Sequence, residues 1–292
     1  MQISYPLLAA MLLVVVLHTL NDRYASPAIA IVLRWMRWIV GSLVIAEVAV
    51  DLQLIDRPFW VLAISAFLLW FLFVTLYNWL AIRALSESPL PLFPRFVLNQ
   101  SGEEWPTLPR LLRVRDWLRL HGFKQVQALK AEVGGGLHLR TSIYQDADAH
   151  LRLQITFLPQ PNGMLTVCYS LSSQTISGRR YVTDNLYLPF GGFYPENWLV
   201  ERVPLRRSLA GLVARHRTRL AQAGEALAPW QTDPMADLNA QQHELDRINT
   251  ELGFLFPRAE RDEYGKITYE GRFRVWKEIL LLNYFGRSSR YE

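Results

Sequence analysis

The chain has 292 residues, 51% of them hydrophobic, and a net charge of +5, which suits about two domains. Its single cysteine, Cys168, excludes an internal disulfide framework and fits a reducing compartment. The apolar excess lies before residue 83, where Arg23, Arg34, Arg37 and Arg57 cancel Asp22, Glu47, Asp51 and Asp56, so the positive excess belongs to the C-terminal part.

Residues 3–20 form an uncharged apolar run just long enough to span a bilayer. The opening Met-Gln-Ile-Ser-Tyr-Pro carries no Lys or Arg, so we read a retained span rather than a cleavable signal. A second span, over about 34–55, enters the bilayer with Arg34 and Arg37 snorkelling to one side. The third, over 58–82, is the most apolar and carries aromatic residues near its ends. Basic residues cluster between spans one and two and after span three. The loop between spans two and three sets Asp51 and Asp56 against Arg57. The positive-inside rule then places the N-terminus outside and the C-terminal domain in the cytoplasm of a bacterial inner-membrane type of protein.

Glu47 and Asp51 lie four residues apart and share one helical face. A carboxylate within a span is a functional candidate by default. The plainer reading is a short span, with Asp51 in the headgroups and Glu47 protonated or paired with a neighbouring helix. Few polar groups occur on the other two spans, which argues against a transporter.

Residues 86–106 read as a proline-punctuated linker, and 107–286 as the α+β domain, followed by a flexible tail over 287–292. Thr107 is expected to cap a helix running to about His121, with Gly122 ending it. Leu137 to Tyr144, His150 to Phe157 and Met164 to Leu171 alternate apolar and polar residues. This pattern predicts an antiparallel meander with one buried face, flanked by strands near 123–131 and 180–188. Helices are expected over about 204–228, from about 234, and over 273–285. The last has poor amphipathicity, being either deeply buried or docked on a partner. The fold class expected is a three-helix transmembrane anchor plus an α+β domain, with helices packed on one face of the sheet.

In the register we expected, Ser142 opposes Arg152 and Gln154 opposes Cys168, which sets His150 roughly 13 Å from Gln154 at strand rise and denies a Cys–His dyad. His216 lies on an apolar stripe and reads as a packed histidine. Gly134 to Gly136 lacks the strand–glycine–helix context of a phosphate loop and reads as a hairpin turn. No catalytic residue, metal ligand or cofactor site is expected. The segment 184–198 combines Tyr187, Phe190, Phe193, Tyr194 and Trp198 with glycines; it suits either recognition or completion of the core. Arg206 and Arg207 belong to a basic stretch read first as solvated helix and second as a membrane-facing surface.

Expected partners are membrane lipids and other membrane or cytoplasmic protein subunits. Nucleic acid is not expected, since many acids accompany the arginines and no recognition motif occurs. The candidate interaction residues are therefore Glu47, Asp51, Tyr187, Phe190, Phe193, Tyr194, Trp198, Arg206 and Arg207. The functional expectation is a non-enzymatic, membrane-anchored protein that binds a partner within a larger assembly. Two alternatives are a ligand-sensing membrane effector and a membrane-associated enzyme dependent on Arg140 or Arg152.

Overall fold

The computed structural model describes residues 5–24, 26–101, 105–134, 136–159 and 165–289. Three helices open the chain, α1 (Tyr5–Tyr24), α2 (Pro27–Asp51) and α3 (Phe59–Glu87). All three are long and apolar enough to cross a membrane. They turn little of their surface inward. Leu7 is the buried residue of α1, while Leu12, Val15, Leu68, Leu72 and Phe73 stand exposed on α1 and α3. That outward face would be costly in water and suits a hydrocarbon surround. The second helix begins at Pro27 rather than near Arg34, because proline at the first turn starts a helix without losing a bonded N–H.

The rest forms an eight-stranded sheet with helices, built from β1 (Phe96–Leu98), α4 (Pro109–Leu120), β2 (Lys124–Gly134), β3 (Leu137–Gln145), β4 (Arg152–Pro159), β5 (Leu165–Thr175), β6 (Arg180–Asp184), β7 (Trp198–Arg202), α5 (Leu209–Ala223), β8 (Leu227–Ala228), α6 (Pro234–Glu251), a short α7 (Arg261–Tyr264) and α8 (Tyr269–Leu280), which continues as a π-helical turn over Leu281–Phe285. Strands β1 to β7 lie side by side in sequence order, and β8 pairs with β5.

Four expectations are corrected. The sheet is mixed, because the excursion between β6 and β7 returns the chain parallel, with Tyr181 beside Leu199. Strand β1 falls within the segment read as linker and pairs with β2. The helix expected to start at Thr107 is capped at Leu108 and starts on Pro109. Finally, the meander's register is shifted: Ser142 opposes Ile155, and Thr156 opposes Cys168.

Between β3 and β4 the shift is three residues, an odd number, so it changes which faces the apolar rows occupy, whereas the two-residue shift between β4 and β5 keeps them. Directly opposed residues share a face. Tyr144, Leu153 and Leu171 therefore point one way, and Ile143, Gln154 and Ser170 the other. The first row packs with Leu111 and Leu118 of α4 and Leu209, Leu212 and Val213 of α5. The second places Ile143 with Phe96, Leu129 and Ala131 against Leu238 of α6. Helices thus cover both faces rather than one. A third cluster joins Ile82 of α3 to Phe254, Leu255, Ile267 and Val275, fixing α8 against the end of the third apolar helix.

Candidate functional site

A cluster of polar contacts joins α2 to the sheet domain at the C-terminal end of α8. The last carbonyls of any helix lack intrahelical partners, and a buried helix end must find them elsewhere. Here Asn283 and Tyr284 find them on α2, while the Leu282 carbonyl, already bonded by Gly286 N at 3.1 Å, gains a second donor from the segment between β6 and β7. The Leu282 carbonyl accepts from the Tyr187 hydroxyl at 2.8 Å. The Asn283 carbonyl accepts from Arg34 Nη1 at 3.1 Å, and the same nitrogen lies 3.3 Å from the Tyr187 oxygen. The Tyr284 carbonyl accepts from Trp35 Nε1 at 2.8 Å. Arg34 also brings its positive charge to the negative end of the helix dipole.

Rings seal this joint. Trp38 packs on Tyr284 with centroids 4.7 Å apart, and on Phe67 and Phe71 of α3 at 5.5 and 5.9 Å. Gly286 follows at a φ of +63°, and a Cβ there would lie 2.8 Å from Ile31 Cδ1. On the other side, the buried Ser86 hydroxyl of α3 accepts from the Ile267 amide at 2.9 Å, and its carbonyl accepts from Lys266 N at 2.9 Å. Both helices, α2 and α3, are therefore bonded directly to α8 and its lead-in.

Tyr187 is the predicted site residue that enters this joint; the rest of its segment folds back onto α6 and α8. Asn249 holds Phe193 by both backbone groups, its Oδ1 accepting at 2.7 Å and its Nδ2 donating at 2.9 Å. Arg274 Nε donates to the Gly191 carbonyl at 2.8 Å, and its guanidinium lies 3.9 Å over the Phe193 ring. The nearly inaccessible Arg202 binds Asp184 at 3.0 Å, the Leu188 carbonyl at 3.1 Å and the Tyr194 hydroxyl at 3.1 Å. Phe190, Tyr194 and Trp198 form a row with centroids 5.1 and 6.3 Å apart.

The remaining predicted residues do not join this cluster. Glu47 is half-buried and Asp51 exposed toward the far end of α2, about 20 and 26 Å from Arg34 by helical rise. Arg206 turns back to the Gly211 carbonyl at 3.0 Å, and Arg207 reaches the Tyr24 carbonyl at the end of α1, also at 3.0 Å. Sequence reasoning missed Arg202, Asn249 and Arg274 as anchors, and Trp35 as a donor. None carries a local signal: Trp35, Asn249 and Arg274 bond backbone groups distant in sequence, and Arg202 bonds the Asp184 carboxylate, the Leu188 carbonyl and the Tyr194 hydroxyl across an irregular excursion.

The chemically notable side chains lie elsewhere. Cys168 is buried, and burial raises its thiol to about 11. His216 is buried on the opposite side of the sheet, where burial first, then Arg219 and Arg217, lower it to about 3. Its ring nitrogens bond Thr183 Oγ1 at 2.9 Å and Ser173 Oγ at 3.1 Å. Thr183 Oγ1 also accepts from Arg219 at 2.6 Å, which leaves its proton for the neutral imidazole. On the α6 face, Asp237 receives Arg152 at 2.9 Å and Arg180 at 2.6 Å, with both guanidinium groups over Trp230 at 4.3 and 4.9 Å. Among the described residues, no three His, Cys, Asp or Glu side chains are grouped to hold a metal ion.

No family model, curated protein or solved structure matches the chain.

Proposed function

We propose that the chain is a non-enzymatic, membrane-anchored protein whose α+β domain faces the cytoplasm and binds a protein partner within a larger membrane assembly. The observation that carries this reading is the capping of the Leu282, Asn283 and Tyr284 carbonyls by Tyr187, Arg34 and Trp35. A tethered domain held by a linker alone would tumble, whereas this one is mounted on its anchor at fixed orientation. A rigid mount suits presentation of one surface to a neighbour, because little orientational freedom is then lost on binding. The exposed rings of Tyr269 and Phe273 add apolar area on the first half of α8, the helix whose far end forms the mount. A non-enzymatic role accords with Cys168, buried and held as the thiol, and with His216, buried and too weak a base to take a proton near neutral pH.

Mild detergent extraction of the full-length protein from its native membrane, followed by native mass measurement, tests the proposal. We expect a mass above that of one chain, reduced when Arg34 and Trp35 are replaced together. A single chain at every concentration would overturn it.

One feature favours the ligand-sensing alternative. An apolar cavity of about 240 Å³ lies between Ala81, Ile82 and Leu85 of α3 and Pro189, Phe190 and Gly191. A ligand there would press on the end of α3, and Glu47→Gln should then abolish any change in membrane permeability.

A further inference from the structure

Arg110 and Arg207 line one cavity of about 230 Å³ together with Pro27, Thr166 and Tyr169. Arg110 stands in the first turn of α4 and donates one Nη2 bond to the Leu165 carbonyl. Arg207 donates from Nη1 to the Tyr24 carbonyl. Each guanidinium has five N–H donors in a planar fork, so most of this capacity is left over. Among the described residues neither has an acidic ion-pair partner. Partial desolvation and then the like charge of Arg110 pull Arg207 below the ordinary arginine value. Two like charges held at one cavity without a carboxylate repel each other, and a shared anion would relieve that repulsion. The fork geometry of arginine matches the oxygens of phosphate in particular.

The cavity sits where α1 ends at Tyr24 and α2 begins at Pro27. By the membrane placement proposed above, that turn lies at the inner headgroup layer. We propose that Arg110 and Arg207 form a phosphate-binding site, whose phosphate is supplied either by an anionic phospholipid headgroup or by a soluble phosphate. The lipid source rests on the membrane placement; the phosphate chemistry does not.

The test uses the purified full-length chain in mild detergent, with thermal unfolding followed during separate titrations of phosphatidylglycerol, phosphatidylcholine and inorganic phosphate. A ligand that binds the folded state alone raises the midpoint. We expect phosphatidylglycerol to raise it by several degrees and phosphatidylcholine to leave it in place. The shift should vanish in the Arg110→Gln/Arg207→Gln variant and persist when the exposed Arg113 and Arg119 are changed to Gln. If the double variant does not fold, Arg110→Lys keeps the charge without the fork and should shrink the shift. A shift produced equally by inorganic phosphate supports the site and assigns it a soluble ligand. A shift that survives loss of both arginines, or that the Arg113/Arg119 changes remove equally, overturns the proposal. Because no partner is present, this result is independent of the mass measurement above.

Discussion

The indole nitrogen of Trp35 donates to the carbonyl of Tyr284 across 2.8 Å, joining the second apolar helix to the end of the last one, 249 residues later. Arg34, its neighbour, does the same for Asn283. Together they satisfy backbone groups that would otherwise be left bare where the helix ends. Replacing Trp35 with Phe keeps most of the ring packing and removes only the donor, so we expect a loss of about 1 kcal/mol. Arg34→Ala removes a charged donor and should cost about 1.5–3 kcal/mol. Thermal unfolding in detergent, compared across both variants, checks the order of the two losses.

Asp237 is shared by Arg152 and Arg180 on the α6 face, and it also accepts from Gln241 at 3.0 Å. Removing it takes the directly bonded carboxylate from two largely buried guanidinium groups, with Asp233 left as a more distant charge near Arg152. Asp237→Ala should therefore destabilise the fold by about 3–5 kcal/mol. Denaturant unfolding of the variant should show this as a large drop in midpoint. A change below about 1 kcal/mol would mean the arginines find other partners or water.

His216 makes the fold sensitive to acid. Its value in the fold, about 3, lies below the ordinary 6.5, so the unfolded chain takes up a proton that the folded chain refuses. Its contribution is present above about pH 6.5 and is lost as the pH falls toward 3, by up to about 1.4 kcal/mol per pH unit. Stability measured between about pH 7 and pH 4 should decline accordingly. His216→Gln should flatten that slope while lowering stability at neutral pH through its poorer fit to Thr183 and Ser173.

Gly191 lies against the backbone of α8: a Cβ there would be 2.5 Å from both Arg274 C and Val275 N. Backbone atoms cannot swing aside as a side chain can. Gly191→Ala should cost about 1–3 kcal/mol and lift the segment from α8. Limited proteolysis should then cut near Phe193, where the parent protein resists.

Cys168 should be inert in the folded protein, being buried and raised to about 11. Alkylation at neutral pH should be at least about tenfold slower than after denaturation. Rapid labelling of the native protein would show that the β5 segment opens.

The three apolar helices were legible because long, strongly apolar runs stand out whatever their neighbours, even where the second carries Arg34, Arg37, Glu47 and Asp51. Alternation also located β3, β4 and β5. It did not reveal that Ile143 and Leu153 face opposite ways, because turn geometry sets register, and a strand's alternation reads the same whichever side its apolar residues take. A sheet covered on both sides and one covered on a single side then look alike. The parallel return to β7 escaped notice for a related reason: Trp198 to Arg202 is short and follows an irregular excursion. The last helix was legible as apolar and as buried or docked, but not as bonded to α2, since what holds it there is a set of backbone carbonyls that no residue pattern records. Tyr187 was singled out for its ring, yet its hydroxyl is the group that bonds.

Hydrogen exchange on the full-length protein in a bilayer tests most directly whether the anchor and the domain form one body. Amides of residues 281–287 should exchange as slowly as those within α8. The Arg34→Gln/Trp35→Phe variant should speed them selectively, leaving β4 unchanged. Fast exchange over 281–287 in the parent protein, or no response to the paired substitution, would contradict the account.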